Sequence, residues 1–153
     1  MSNSIQKHMA HAKFIGELYS KDPSSKVGAL ILGSDNEPLS WGYNGFPRGA
    51  NDDPDQHPER HDRTKEKYQW AEHAERNAIY SAARSGHQLR GSRIFVSTLP
   101  TCVDCARAIV QAGIKEVYVE ADALLVERWQ ESWGLAQKIY KETGVIVYAM
   151  PNT

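Results

Sequence analysis

Cysteine is nearly missing: only Cys102 and Cys105 occur in 153 residues. That excludes a disulfide framework. It also excludes structural zinc sites built from four cysteines or from three cysteines and a histidine, which need more thiolates than the chain owns. A Cys2His2 arrangement would require a second histidine. Charge of one sign is lacking too, since 18 basic and 19 acidic side chains leave a net charge of −1. No stretch is basic enough to track a phosphate backbone, so a polymeric nucleic-acid substrate is disfavoured. Long apolar runs are absent as well. Met1 to Tyr19 mixes Lys7, His8, His11, Lys13 and Glu17 with apolar residues, unlike a signal peptide, and no run is long enough to span a membrane. A close thiol pair without further cysteines points to metal or redox work in a reducing compartment, and the cytoplasm is the expected location.

What is present reads as one domain over residues 1–153, with no internal repeat or linker. Ile5, Met9, Ala12, Ile15 and Leu18 recur at helical spacing and predict a first helix, broken by Asp22-Pro23-Ser24-Ser25. Val27 to Leu32 is a short apolar run that predicts a buried strand; a turn through Gly33 to Pro38 leads to a second strand, Leu39 to Tyr43, ending at Asn44-Gly45. These two strands are expected to pair antiparallel. Phe46 to Gln69 is a polar insert with almost no apolar content. Trp70 opens a predicted helix running to about Arg84, with Gly86 as its stop signal. Strands over Arg93–Thr98, Glu116–Glu120 and Val145–Ala149 then alternate with helices over Val103–Ala112 and roughly Asp122–Thr143. That alternation implies an α/β domain with parallel pairings in its second half.

Two distant fragments carry the chemistry: His73-Ala74-Glu75 and Cys102-Val103-Asp104-Cys105. One histidine and two thiolates give zinc three protein ligands and leave its fourth tetrahedral position for water, the composition of a catalytic rather than a structural site. His73 and Glu75 would diverge in mid-helix, so this fragment is expected at a helix entrance, as are Cys102 and Cys105 at theirs. Two helix N-termini would then face one spot, where unpaired amides and positive dipole ends favour thiolates. Zinc with two thiolates is formally neutral and acidifies water less than an all-histidine site, so a nearby proton acceptor must compensate. Glu75 is that candidate. The pattern H-x-E followed by P-C-x-x-C is the signature of zinc nucleobase deaminases, in which the glutamate moves protons without binding metal. The plainer readings are a redox C-x-x-C and an acid that merely suits a first helical turn. His8, His11, His57, His61 and His87 read as surface residues, although the i, i+4 spacing of His57 and His61 would suit a second metal if the insert were helical.

The chain resembles the deoxycytidylate (dCMP) deaminase family of the cytidine deaminase fold over nearly its whole length. The matching pieces are Lys21-Asp22-Pro23-Ser24-Ser25-Lys26-Val27-Gly28-Ala29, Gly42-Tyr43-Asn44-Gly45-Phe46-Pro47-Arg48-Gly49, His73-Ala74-Glu75-Arg76-Asn77-Ala78-Ile79 and Cys102-Val103-Asp104-Cys105-Ala106-Arg107-Ala108-Ile109. The resemblance implies a three-layer α/β/α fold with a five-stranded mixed sheet, and one catalytic Zn2+ on His73, Cys102 and Cys105. It also implies hydrolysis of dCMP to dUMP and ammonia. The small-molecule nucleotide would meet Asn44 at its sugar hydroxyl and the backbone of Ala74 at its pyrimidine edge. Lys26 with Ser24 and Ser25 is the candidate phosphate site, a point charge and hydroxyls beside a turn, with Arg48, Arg60 and Arg63 as alternatives. The resemblance further implies a homo-oligomer, often a hexamer, with dCTP and dTTP as effectors and Mg2+ accompanying a nucleotide effector. Three departures stand out: Thr101 separates Pro100 from Cys102, Ala121-Asp122 stands where many members carry an aromatic residue, and the extra zinc-binding cysteines of some members are missing. Competing readings are a deaminase of another nucleotide or base (a modified cytosine nucleotide, dCTP or guanine), a tRNA adenosine deaminase, and a non-enzymatic nucleotide-binding protein.

Overall fold

The computed structural model describes residues 3–151. Helix α1 spans Asn3–Tyr19, and strands β1 (Gly28–Leu32) and β2 (Pro38–Tyr43) follow as an antiparallel pair. After the insert come a short helix α2 (Lys67–Trp70) and helix α3 (Ala74–Ser85). The remainder is β3 (Arg93–Val96), α4 (Val103–Gln111), β4 (Glu116–Glu120), α5 (Gln130–Thr143) and β5 (Ile146–Met150). One five-stranded sheet runs in the order β2-β1-β3-β4-β5, with β1 antiparallel to β3 and the last three strands parallel. The expected mixed sheet with an antiparallel first pair is what forms.

Strand alternation makes the layers. Ala29, Ile31, Ile94, Val96, Val117 and Val119 pack with residues of α3, α4 and α5, while Leu30, Leu32, Phe95, Tyr118 and Met150 pack with Met9, Ala12 and Ile15 of α1. Successive residues therefore serve opposite faces, which is why these strands read as unbroken apolar runs rather than alternating ones. On the second face the Phe95, Tyr118 and Tyr148 rings stack across three strands at centroid distances of 4.4 and 4.7 Å.

The placement of α3 follows from small residues. Its inward face is Ala74, Ala78 and Ala82, and a Cβ added at Gly42 of β2 would lie 2.4 Å from the Ala78 nitrogen. Backbone therefore rests almost on backbone, and Ser40 Oγ donates to the Ala78 carbonyl at 2.6 Å while Asn77 donates to the Tyr43 carbonyl at 2.8 Å. At its far end α3 stops at Gly86, whose φ of 75° is the left-handed cap that glycine adopts without strain.

Three element boundaries differ from the sequence reading by more than one residue. The helix expected from Trp70 starts at Ala74, because Glu72 is drawn into a two-way backbone bridge with Gly45. The strand expected to Thr98 ends at Val96, and Thr98 turns left-handed with φ of 71°, held by Glu120 Oε1 and the Lys26 carbonyl. The helix expected from Asp122 begins at Gln130, after two 3-10 turns over Ala121–Leu125 and Glu127–Trp129.

Candidate metal centre and nucleotide pocket

The two chemical fragments occupy equivalent places. His73 is the residue capping the N-terminus of α3 and Cys102 caps α4, both with extended backbone, φ/ψ of −77°/150° and −79°/170°. An N-cap side chain turns back over its own first helical turn, where amides lack intrahelical partners. Cys102 Sγ accepts from the Cys105 N–H at 3.4 Å in this manner. The His73 ring carries no such cap bond and turns to the thiols instead, with Nδ1 3.4 Å from both Cys102 Sγ and Cys105 Sγ. The active face thus lies beyond the carboxyl end of β3, where α/β sheets with parallel strands commonly bind ligands.

This donor set fits zinc. The three ligand atoms lie within 4.8 Å of one another and form the one such group of histidine, cysteine and acidic side chains among the described residues. Tetrahedral coordination with bonds of about 2.0–2.3 Å brings nitrogen and sulfur ligands to about 3.5 Å from each other, close to the separations seen here. Two thiolates and one imidazole are also the softness zinc selects. The second metal pair considered for His57 and His61 does not form: His57 Nδ1 lies 3.1 Å from Glu59, and His61 Nε2 lies 2.8 Å from the Asp52 carbonyl.

Electrostatics at the centre separate the thiols. A hydrogen bond from Cys105, helped by His73, outweighs burial and holds Cys102 down at about 4, so it is a thiolate at neutral pH. Cys105 is pushed up by its bond to Cys102 and by burial. A divalent cation held by both thiols would remove that disparity, since coordination deprotonates a thiol outright. Glu75 sits one residue inside α3 with 3 % exposure, and burial raises its pKa. Arg76 links the two fragments from outside, pairing with Glu72 just before His73 and approaching Asp104 between the cysteines at 3.8 Å.

A cleft of about 620 Å³, including its open mouth, lies above these residues. His73, Ala74, Glu75 and Cys102 form its floor, with Val27, Leu99, Pro100 and Trp129 as apolar wall. The Trp129 ring stands edge-on to His73 at 6.1 Å. Asn44, Ser24 and Ser25 line the same cleft. Asn44 is nearly saturated: its carbonyl oxygen accepts from Ser20 and from the Val27 N–H, and its amide donates to the Ser25 carbonyl. One N–H remains free by inventory, so toward a ligand Asn44 acts only as a donor.

Lys26, the cation expected at the phosphate, is exposed beside the turn before β1. It does not line the cleft; its ammonium donates to the Ser20 carbonyl at 2.8 Å, anchoring the turn before β1. The cations that do line the cleft are Arg63, Lys67 and Arg128. Lys67 is buried against Asp22 at 3.0 Å, and Arg128 reaches Ser25 Oγ at 3.3 Å. Of the arginines weighed from sequence, Arg63 lies in the cleft, Arg48 bonds Ser81 elsewhere, and Arg60 covers the Trp70 ring at 3.8 Å. Lys67, Arg128 and Trp129 were not anticipated. Trp129 lines the cleft at the end of the two 3-10 turns that start at Ala121; only the break before α5 could have signalled it.

Comparison with known proteins agrees with this geometry. A chain of Aliivibrio fischeri described as an uncharacterized deaminase in the luxG 3′ region is 38% identical over 152 residues, 99% of this chain and 96% of its own. Human deoxycytidylate deaminase is 42% identical over 114 residues, 71% of this chain but 60% of the human protein. The crystal structure of dCMP deaminase from cyanophage S-TIM5 in complex with dCMP and dUMP superposes with a TM-score of 0.74 at 25% identity, covering 98% of this chain and 99% of that one. Residues 2–121, which include every ligand atom of the centre, match the cytidine and deoxycytidylate deaminase zinc-binding region, and to that family the chain belongs.

Proposed function

We propose that this protein hydrolyses dCMP to dUMP and ammonia, supplying precursor for thymidylate. The observation that carries the reading is Glu75, a carboxylate 3 % exposed beside the His73, Cys102 and Cys105 ligand set at the floor of an open cleft. When bound by His73, Cys102 and Cys105, zinc supplies a Lewis acid that lowers the pKa of a water molecule at the position those ligands leave open.

The remaining work belongs to the chain. Glu75 takes a proton from the attacking water and delivers it to the ring nitrogen beside the amine-bearing carbon. It then takes the second water proton and hands it to the departing amine, so that ammonia leaves and the carbonyl remains. Burial raises its pKa above the usual carboxylate value, the direction a carboxylate that both takes and returns a proton requires. The Ala74 backbone at the floor reads the pyrimidine edge, Asn44 donates its one free N–H to the sugar hydroxyl, and Trp129 closes the apolar wall. Lys67 is largely neutralised by Asp22, which leaves Arg63 and Arg128, with Ser24 and Ser25, as the phosphate site. A cleft with the metal ligands at its floor suits a free nucleotide, and nothing in the net charge of −1 favours a polymer.

The reading includes a homo-oligomer, hexameric by family resemblance, with dCTP and dTTP as effectors and Mg2+ accompanying them, working in the cytoplasm. Exposed Phe14, Leu18, Tyr19 and Trp41, the last two stacked at 5.1 Å, support burial between copies. No helix among the described residues is long and apolar enough to cross a membrane. Zinc-loaded protein offered dCMP, CMP, deoxycytidine, dCTP, 5-methyl-dCMP, guanine and tRNA should release ammonia fastest from dCMP. Turnover of another compound with none of dCMP would replace the substrate.

A further inference from the structure

Thr101 is the residue by which this chain departs from the usual proline-cysteine junction, and the structure gives it a partner. Thr101 Oγ1 lies 2.7 Å from Tyr140 Oη, and both side chains are fully buried, at 0% and 1% exposure. Tyr140 otherwise packs among Ile109, Val119, Ala136 and other apolar residues. A valine facing a phenylalanine would fill nearly the same volume without hydroxyls to desolvate. What the hydroxyl pair adds is direction: it ties the residue before Cys102 to a fixed point on α5. A second tie lies on the other side. Val103, the first residue of α4, has an amide with no partner inside its own helix, and it donates to Ser132 Oγ of α5 at 2.8 Å. Trp129, the N-cap of α5, lies perpendicular to the His73 ring at a centroid distance of 6.1 Å.

We infer that α5 is a clamp on the metal centre: Tyr140 acting through Thr101, and Ser132 acting through the Val103 amide, are positioning residues that hold Cys102 from both sides. The inference rests on the reading of His73, Cys102 and Cys105 as zinc ligands. Within α4, Cys102 is held by the Cys105 N–H on its Sγ and the Ala106 N–H on its carbonyl, whereas the turn before it, which contains the left-handed Thr98, depends on contacts from outside that helix. Partners that orient metal ligands in this way typically change affinity or activity by roughly 10–100-fold when removed.

The test compares zinc-loaded wild type with Tyr140→Phe, Thr101→Val, the double variant and Ser132→Ala. It follows transfer of zinc to a competing chelator, the sulfur-to-metal charge-transfer band of the cobalt-substituted forms, and Tm. Each single variant should lose zinc roughly tenfold faster with a displaced band. The double variant should recover Tm, because no hydroxyl is left buried without its partner, yet still lose zinc roughly tenfold faster. A double variant that recovers both Tm and the wild-type rate of zinc loss would reduce the pair to packing and overturn the clamp. Half-buried Ser132 gives an independent check if Tyr140→Phe folds poorly; unchanged zinc loss in Ser132→Ala would equally overturn it. Wild type that binds no stoichiometric zinc would overturn the metal reading and the clamp together.

Discussion

The floor and the rim of the cleft are built by different rules. At the floor, His73 and Cys102 each cap a helix of ordinary length, and Glu75 and Cys105 stand in the first turns behind them. At the rim, Arg63 and Lys67 come from the insert and its short α2, and Arg128 and Trp129 from a 3-10 turn. Regular helices docked on a sheet hold ligand atoms to within the tolerance a metal needs, while irregular segments hold charges to within what a phosphate needs. The contrast implies that changes at the floor abolish chemistry, whereas changes at the rim alter which substrate is turned over.

The largest effect expected is at the floor. Cys105→Ser should remove stoichiometric zinc and, with it, all turnover, measured by metal analysis and ammonia release on the same sample. Persistence of either would mean that the floor is not a three-ligand site. Next is the tie that holds the rim to the body. Asp22 and Lys67 form a buried ion pair, and Asp22→Asn would leave the ammonium without its counter-charge, costing about 3 kcal/mol at pH 7 in denaturant melts. Burial pushes the Asp22 pKa up, but hydrogen bonds from the Ser24 amide, Lys67 and the Ser25 amide outweigh it, so the folded-state value is depressed. The stability it contributes is therefore complete above the unfolded-state value near 4 and is lost as pH falls through the folded value. The stability gap between wild type and Asp22→Asn should start to narrow as pH falls below about 4 and close once the depressed folded value is passed; a gap that stays constant throughout that fall would contradict the ion pair. The smallest effect is the most selective. Arg128→Ala should lower kcat/KM for dCMP by roughly thirtyfold, about 2 kcal/mol for a lost charge-assisted hydrogen bond, and leave that for deoxycytidine unchanged. Equal losses on both would place Arg128 in structure rather than at the phosphate.

The same contrast explains what could be read from the amino acids. His73, Glu75, Cys102 and Cys105 were readable because helix entry and metal spacing are local properties, and the strand pattern from β1 to β5 was readable because each apolar run is short and bounded. Lys26 stood out because a lysine beside serines before a strand looks like an anion site, while its bond to the Ser20 carbonyl and its place outside the cleft lining are tertiary facts. Lys67, Arg128 and Trp129 stayed hidden for the converse reason. They sit in segments of broken helix, where side-chain direction depends on the neighbours the segment meets. The Gly45–Glu72 bridge that delays α3 to Ala74 likewise joins residues from opposite ends of the insert, beyond the reach of any local pattern.

The central claim is that Glu75 moves the protons of a zinc-dependent deamination. Its most direct test is dUMP formation from dCMP by wild type and Glu75→Ala at equal zinc content. The account predicts that the variant keeps its zinc and binds dCMP, while turnover falls by about 10³-fold. Equal dUMP formation by the two proteins would contradict it.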